Sequence, residues 1–183
     1  MAVYKIYVRL VCLLMFNSLR KISTAYEDFQ YWTYRYSMTG SEFDSFVHLM
    51  LNYPEYRYVF YYRLGTLPRH IFNVLLPKLK STRISVKSIQ GGMFICHGFS
   101  SIIVAEKIGK NFVYFQNVTV GYNRGGKPSI GNNVEIFAGA VVAGPITIGN
   151  NVKIGANAVV LQDIPDNCVV YGNPCIIKKK DAK

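Results

Sequence analysis

The chain has 183 residues, half of them hydrophobic and 17% charged, with a formal net charge of +11. This composition excludes a disordered chain and leaves room for one good core and a small second lobe. The basic residues run the length of the chain and end in Lys178, Lys179, Lys180 and Lys183. They suit anionic partners such as phosphorylated cofactors, phospholipid headgroups or acidic glycans, while no nucleic-acid-binding motif accompanies them.

Residues 4–22 read as a helix with aliphatic residues on most faces. Its apolar run, Val8 to Phe16, is too short to span a bilayer, and Arg20 and Lys21 follow without a small-residue cleavage site. A buried helix is the expectation, with a membrane-surface helix as the alternative. Residues 23–40 are crowded with Tyr26, Tyr31, Trp32, Tyr34 and Tyr36 and carry no firm period. Ser41, three residues before Asp44, is placed as a helix N-cap, and Phe43, Phe46, Val47 and Met50 then share a face. A helix from Asn52 to Gly65 follows, with Pro54 in its first turn and an aromatic stripe at Tyr56, Val59 and Phe60. Another runs from about Arg69 to Lys80, interrupted at Pro77.

The composition changes near Arg83. From Ile130 to Pro165 the chain repeats every six residues, with Ile130, Ile136, Val142, Ile148, Ile154 and Val160 opening the blocks. Val134, Ala140, Ile146, Val152, Ala158 and Ile164 take the fifth positions, and Gly and Asn fill many of the rest. That period is neither helical nor a strand alternation. It suits short strands joined by sharp corners, three blocks to a triangular coil, the coils stacking in parallel over a narrow aliphatic core. About four coils over residues 83–165 are expected.

Traced backwards, the pattern steps through Val120, Tyr114, Ile108 and Ile102, then resumes at Ile95 and Ile89 after a one-residue slip. Ten residues separate Val120 from Ile130 instead of six, so part of GYNRGGKPS must leave the coil as a loop, a usual place for binding groups. The domains expected are a helical lobe at 1–82, a β-helix at 83–168 with an extruded loop at 122–129, and a C-terminal segment with a basic tail at 169–183.

Cys12, Cys96, Cys168 and Cys175 lack the paired spacing of metal or redox sites, so reduced cytosolic thiols are the default. Of the three histidines, His48 and His70 fall in expected helices, while His97 falls at the slip in the repeat. An irregularity of that kind re-aims a side chain, and imidazole is well matched to proton transfer near neutral pH.

The helical segment YPEYRYVFYYRLG, GGMFICHG, FQNVTVGY, the repeats from Ile130 and the ending VVYGNPC together resemble the hexapeptide-repeat, left-handed β-helix acyltransferases, and among them the serine acetyltransferase-like branch, over roughly residues 53–177. The resemblance implies a mainly β protein, a left-handed parallel β-helix with an N-terminal helical lobe. It also implies a homotrimer or dimer of trimers with clefts between neighbouring coils, acetyl-CoA as co-substrate, and no metal. His97 would be the general base, and a backbone N–H near Gly121 or Tyr122 the oxyanion donor. Lys127, Arg124 and Glu106 are placed on the acceptor side, with Glu106 also the nearest downstream carboxylate able to orient the imidazole. Ala138 and Ala156 would contact the pantetheine arm, and Lys153, Asn173 and Pro174 the nucleotide end. The setting implied is cytoplasmic, with peripheral association at the inner membrane face as the alternative.

This chain departs from the branch at three places. An Asp about fifteen residues before the His is replaced by Thr82, an Asp directly before it by Cys96, and a second His before the repeat-opening Pro by Lys127. Thr82 supplies no carboxylate and Lys127 accepts no hydrogen bond. The expectation is therefore O-acetylation of a sugar hydroxyl in cell-surface polysaccharide biosynthesis. Serine O-acetylation in cysteine biosynthesis and a non-catalytic assembly scaffold are the alternatives. A zinc-dependent carbonic anhydrase of the same coil needs three imidazoles, and only His97 lies within the repeats.

Overall fold

The computed structural model describes residues 2–180 and the side chains of 9–180. It divides into two compact units, Met1–Leu79 and Lys80–Lys183.

The first unit consists of α1 (Ala2–Leu19), α2 (Ser23–Arg35), α3 (Glu42–Asn52), α4 (Pro54–Arg63) and α5 (Thr66–Leu75). The Ser41 hydroxyl caps α3 by accepting the Asp44 N–H at 3.1 Å, as its sequence suggests, and Pro54 opens α4. The aromatic-rich segment without a readable period is α2, which buries Ala25, Asp28, Phe29 and Trp32 on one face. Ala25, Phe29 and Trp32 have helical spacing, and Asp28 turns inward with them. It does so because Arg63 of α4 meets it in the interior, Nε to Oδ2 at 2.8 Å and Nη2 to Oδ1 at 3.2 Å. Around this pair Phe16, Phe29, Trp32, Phe46, Tyr56 and Phe60 pack mostly edge to face. The last helix, α5, begins and ends earlier than the expected Arg69 to Lys80, since Pro68 is tolerated in its first turn. Residues beyond Leu75 leave the helix and are tied to α4 instead. Leu79 N donates to Pro54 O at 3.0 Å, and Arg57 Nε to Pro77 O at 2.6 Å. No helix among the described residues is long and apolar enough to cross a membrane.

The second unit is a parallel β-solenoid. Its strands are β1 (Thr82–Ile89), β2 (Phe94–Ile95), β3 (Ser101–Ile108), β4 (Val113–Tyr114), β5 (Thr119–Gly121), β6 (Ser129–Ile130) and β7 (Glu135–Ile136). They continue as β8 (Val141–Ala143), β9 (Thr147–Ile148), β10 (Lys153–Ile154), β11 (Val159–Val160), β12 (Cys168–Tyr171) and β13 (Ile176–Lys179). One face stacks β3, β5, β8 and β11, a second continues from the far half of β3 through β6 and β9, and a third stacks β2, β4, β7, β10 and β12. Both β1 and β3 run around a corner and belong to two faces at once.

Every block-opening and fifth-position residue from Ile130 to Ile164 is buried, so the six-residue period does mark the inward side chains. Each such Val or Ile contributes roughly 1.5–3 kcal/mol by leaving water. Corners are turned by residues that accept positive φ. Asn111, Asn133, Asn151 and Asn167 lie at φ 54 to 60 and stack as a ladder, each side-chain amide donating to the next side chain at 2.8–2.9 Å. Beside them Gly131 passes so close to the next coil that a Cβ there would sit 2.8 Å from Gly149 O.

Two details of the sequence reading change. The solenoid makes about five turns over residues 82–170, not four over 83–165. The last coil closes with β12, which pairs with β10 only sixteen positions on (Lys153 with Val169) instead of eighteen (Glu135 with Lys153). The inward residue of β3 is Ile103, fully buried, whereas Ile102 is 48% exposed. Eight positions therefore separate the inward Ile95 from Ile103, and only five separate Ile103 from Ile108.

The chain ends by folding β13 antiparallel onto β12, with Lys180 N donating to Asn167 O at 2.7 Å. This strand covers the edge that the terminal coil would otherwise present for pairing. Lys178 and Lys179 of the expected basic tail lie in β13, and Lys183 lies outside the described residues.

Candidate active site

The extra residues between Ile95 and Ile103 are wound into a compact protrusion that carries His97. Gly98 N donates to Cys96 O at 2.8 Å and Phe99 N to His97 O at 2.6 Å. His97 itself lies at φ 64, with Gly98 at φ 41 and Ser100 at φ 54. Three left-handed residues within four positions, two of them with side chains, store strain that only an over-determined turn retains, and such strain clusters at functional sites. The imidazole of His97 is exposed at the corner between the third face and the first.

Strand register continues that corner upward. Cys96 N donates to Tyr114 O, Phe115 N to Ile136 O, Phe137 N to Ile154 O and Gly155 N to Val170 O, all at 2.7–3.0 Å. One position further, Gly139 N donates to Gln116 O at 3.1 Å and Asn157 N to Ala138 O at 2.9 Å. His97, Gln116, Ala138, Ala156 and Gly172 therefore occupy one corner on five successive coils. At about 4.8 Å per coil the column rises roughly 19 Å from His97 to Gly172. Phe115 and Phe137 stack alongside, ring centroids 4.9 Å apart at 22°.

The column ends at a groove of about 330 Å³ lined by Val159, Leu161, Gln162, Asn173, Pro174 and Cys175. The two expected nucleotide-end residues, Asn173 and Pro174, are thus neighbours there, across a cis peptide bond. Lys153 projects from the third face, exposed, with its ammonium 3.3 Å from the Glu135 carboxylate. Sequence reasoning missed Gln116, Leu161 and Gln162. Only the register, with its offsets of 19 and 22 positions at the third-face strands β2, β4 and β7, places Gln116 between His97 and Ala138. Its Oε1 is buried without a hydrogen-bond partner among the described residues.

The extruded loop belongs to a different corner, between the first and second faces. Gly121 ends β5 opposite Ala143, Tyr122 is 66% exposed, and Asn123 and Gly126 form a miniature hairpin that holds Arg124 at its exposed tip. Glu106 N donates to Pro128 O at 2.9 Å, which joins the end of the loop to β3. The Glu106 carboxylate bonds the Lys87 ammonium at 2.5 Å on the neighbouring coil. That bond, aided by the charge of Lys127, holds its carboxyl below the usual range. The structure thus brings Glu106 and Lys127 together, with Lys87 as the partner of the carboxylate. It places His97 at another corner of the same coil stack.

Thr82, which stands where the branch has a carboxylate, is buried. Its hydroxyl lies 3.0 Å from Tyr114 Oη and donates weakly to Ser101 O at 3.4 Å. Among the described residues no group of three or more His, Cys, Asp or Glu side chains gathers as a metal site would require.

Comparison with known proteins agrees with this fold. Residues 127–162 match the family described as bacterial transferase hexapeptide (six repeats). A serine acetyltransferase of Staphylococcus xylosus is 45% identical over 97 residues, 50% of this chain and 44% of that one. The putative colanic acid biosynthesis acetyltransferase WcaB of Escherichia coli (strain K12) is 42% identical over 89 residues, 46% of this chain and 54% of that one. The chain spans about half the length of these curated relatives. Among solved structures, Neisseria gonorrhoeae serine acetyltransferase superposes with TM-score 0.66 at 24% identity, over 93% of this chain and 70% of that one, a likeness of fold. Soybean serine acetyltransferase superposes with TM-score 0.62 at 26% identity, over 85% and 68%. The six-residue repeat and the solenoid it builds make the chain a hexapeptide-repeat β-helix protein, similar over about half its length to serine acetyltransferases and to WcaB.

Proposed function

We propose that the chain is an acetyl-CoA-dependent O-acetyltransferase with His97 as its general base. The observation that carries this reading is the corner column, which runs from the exposed imidazole past Ala138 and Ala156 to the groove at Asn173 and Pro174. Small side chains on that line admit an extended pantetheine arm, and the exposed Lys153 lies beside its upper end. With the thioester at His97, the imidazole takes the proton of an acceptor hydroxyl as its oxygen attacks the carbonyl carbon. A backbone N–H at Gly121 or Tyr122 holds the developing oxyanion. The C–S bond then breaks, and the thiolate of CoA receives the proton from the imidazolium.

His97 and the loop occupy different corners of one chain, so a site that uses both draws the loop from a neighbouring copy. A homotrimer around the solenoid supplies that arrangement. The acceptor that fits best is a sugar hydroxyl. Thr82, committed to Tyr114 and Ser101, gives the imidazole no carboxylate partner, and Lys127 and Arg124 bring positive charge where an anionic glycan would lie. Serine is the second reading, favoured by the names of several relatives.

Replacing the exposed Ala156 by Trp blocks the column without touching the core. About a hundredfold loss in acetyl-CoA kcat/KM is expected, because displacement of the thioester by about 1 Å costs that much. The circular dichroism spectrum should not change. An Ala156→Trp protein with the wild-type KM for acetyl-CoA and the same CoA-dependent thermal shift would move the donor site elsewhere.

A further inference from the structure

Helix α5 buries none of its residues. Leu67 is 72% exposed, Ile71 53% and Val74 80%, and with Leu75 they fall on one helical face at spacings of four, seven and eight residues. A surface helix that leaves its whole apolar stripe in water pays for it unless something covers the stripe.

The polar face of the same helix carries the chemistry of the cover. A cleft of about 220 Å³ is lined by Tyr61, Arg69, His70, Asn73 and Lys78. Tyr61 Oη is spent on Phe72 O of α5 and on Leu76 O just past its end, at 3.1 and 2.9 Å, and Asn73 Oδ1 on the Lys78 N–H at 3.0 Å. Those bonds fix the cleft and leave its three basic groups as its chemistry. The Lys78 ammonium lies 4.4 Å from the centre of the Tyr58 ring. Its pKa is pulled down, first by burial and then by the charge of Arg69. No carboxylate among the described residues pairs with Arg69, His70 or Lys78. The contrast with α1 is direct. Its exposed Leu10, Leu13 and Leu14 lie on a helix whose Arg9 is paired with Asp44, and Arg20, just past its end, is paired with Glu42.

We propose that α5 is a membrane-surface helix, with Leu67, Ile71, Val74 and Leu75 entering the acyl boundary of a bilayer and Arg69, His70 and Lys78 receiving its anionic phosphate headgroups. An apolar stripe with bases on the helix's polar face is the pattern that binds charged lipid surfaces in the plane of the interface. The proposal stands apart from the acetyl-transfer reading, since none of these residues belongs to the corner column. It gives the chain a means of working beside a lipid-borne acceptor.

Vesicle flotation of the full chain tests it, with phosphatidylcholine alone against phosphatidylcholine containing phosphatidylglycerol at low salt. The wild type should float with the anionic vesicles and stay behind with the neutral ones. Val74→Glu, at a position already in water, should abolish flotation with an unchanged circular dichroism spectrum. The double variant Arg69→Gln, Lys78→Gln should weaken partitioning about thirtyfold, at about fivefold per charge. Absence of wild-type flotation overturns the proposal, as does wild-type flotation by Val74→Glu or by the double variant. A smaller particle mass for Val74→Glu with flotation unchanged also overturns it, and assigns the stripe to a second copy of the chain. Transfer activity measured with soluble acceptors is a separate readout, so loss of one reading leaves the other intact.

Discussion

The His97→Ala protein is expected to fold, to bind acetyl-CoA and to lose transfer by about 100- to 10,000-fold, the usual worth of a positioned general base. Folding should survive because the imidazole is exposed and the turn that carries it is held by the backbone bonds Gly98 N to Cys96 O and Phe99 N to His97 O. The residue stands at φ 64, where Ala is strained by about 1–2 kcal/mol and Asn is tolerated. His97→Asn therefore serves as the companion variant, since it keeps the left-handed turn and removes the base. If both lose turnover equally while the CoA-dependent thermal shift persists, the loss belongs to proton transfer. If His97→Asn retains turnover and only His97→Ala loses it, the residue shapes the turn and the base lies elsewhere.

Asp28→Ala is expected to cost the helical lobe about 3–5 kcal/mol of stability. Removing the carboxylate leaves the Arg63 guanidinium, whose side chain is only 6% exposed, without its bidentate partner. A domain has only about 5–15 kcal/mol in total, so the lobe should unfold at far lower urea than the wild type. Trp32, the one tryptophan of the chain and fully buried beside Tyr56, reports the transition by fluorescence. The exposed pair Arg20–Glu42 is the control, because its loss should cost at most about 1 kcal/mol. Equal effects of the two exchanges would contradict the account of the lobe's interior.

The same Asp28 shows where the sequence stopped being readable. Helix α2 escaped notice because one of its inward positions is a carboxylate, and its inward turn depends on Arg63, 35 residues away. The solenoid was legible because a triangular coil repeats its inward side chains every six positions whatever the rest of the chain does. The ten-residue interval before Ile130 was legible for the same reason. It appears in the structure as a pairing offset of 22 positions, Thr119 to Val141, against 18 for Val141 to Val159. Ile102 was misread as inward in place of Ile103, since an interval of eight followed by one of five looks like a single slip until the strands are paired. The site divides along the same line. His97 stood out as an imidazole at an irregularity, and Ala138 and Ala156 came with the resemblance. Gln116 has no mark in the sequence, because what puts it in the column is the register of its neighbours.

The central claim is hydroxyl acetylation from acetyl-CoA, and thiol release measured with the wild-type protein tests it most directly, with nucleotide-sugar, polysaccharide and serine acceptors side by side. Acceptor-dependent release of CoA with the sugar hydroxyls, well above that with serine, is the result predicted from the column at His97 and from Thr82 and Lys127. No release above background with any hydroxyl acceptor, from a protein shown to be folded, would contradict it.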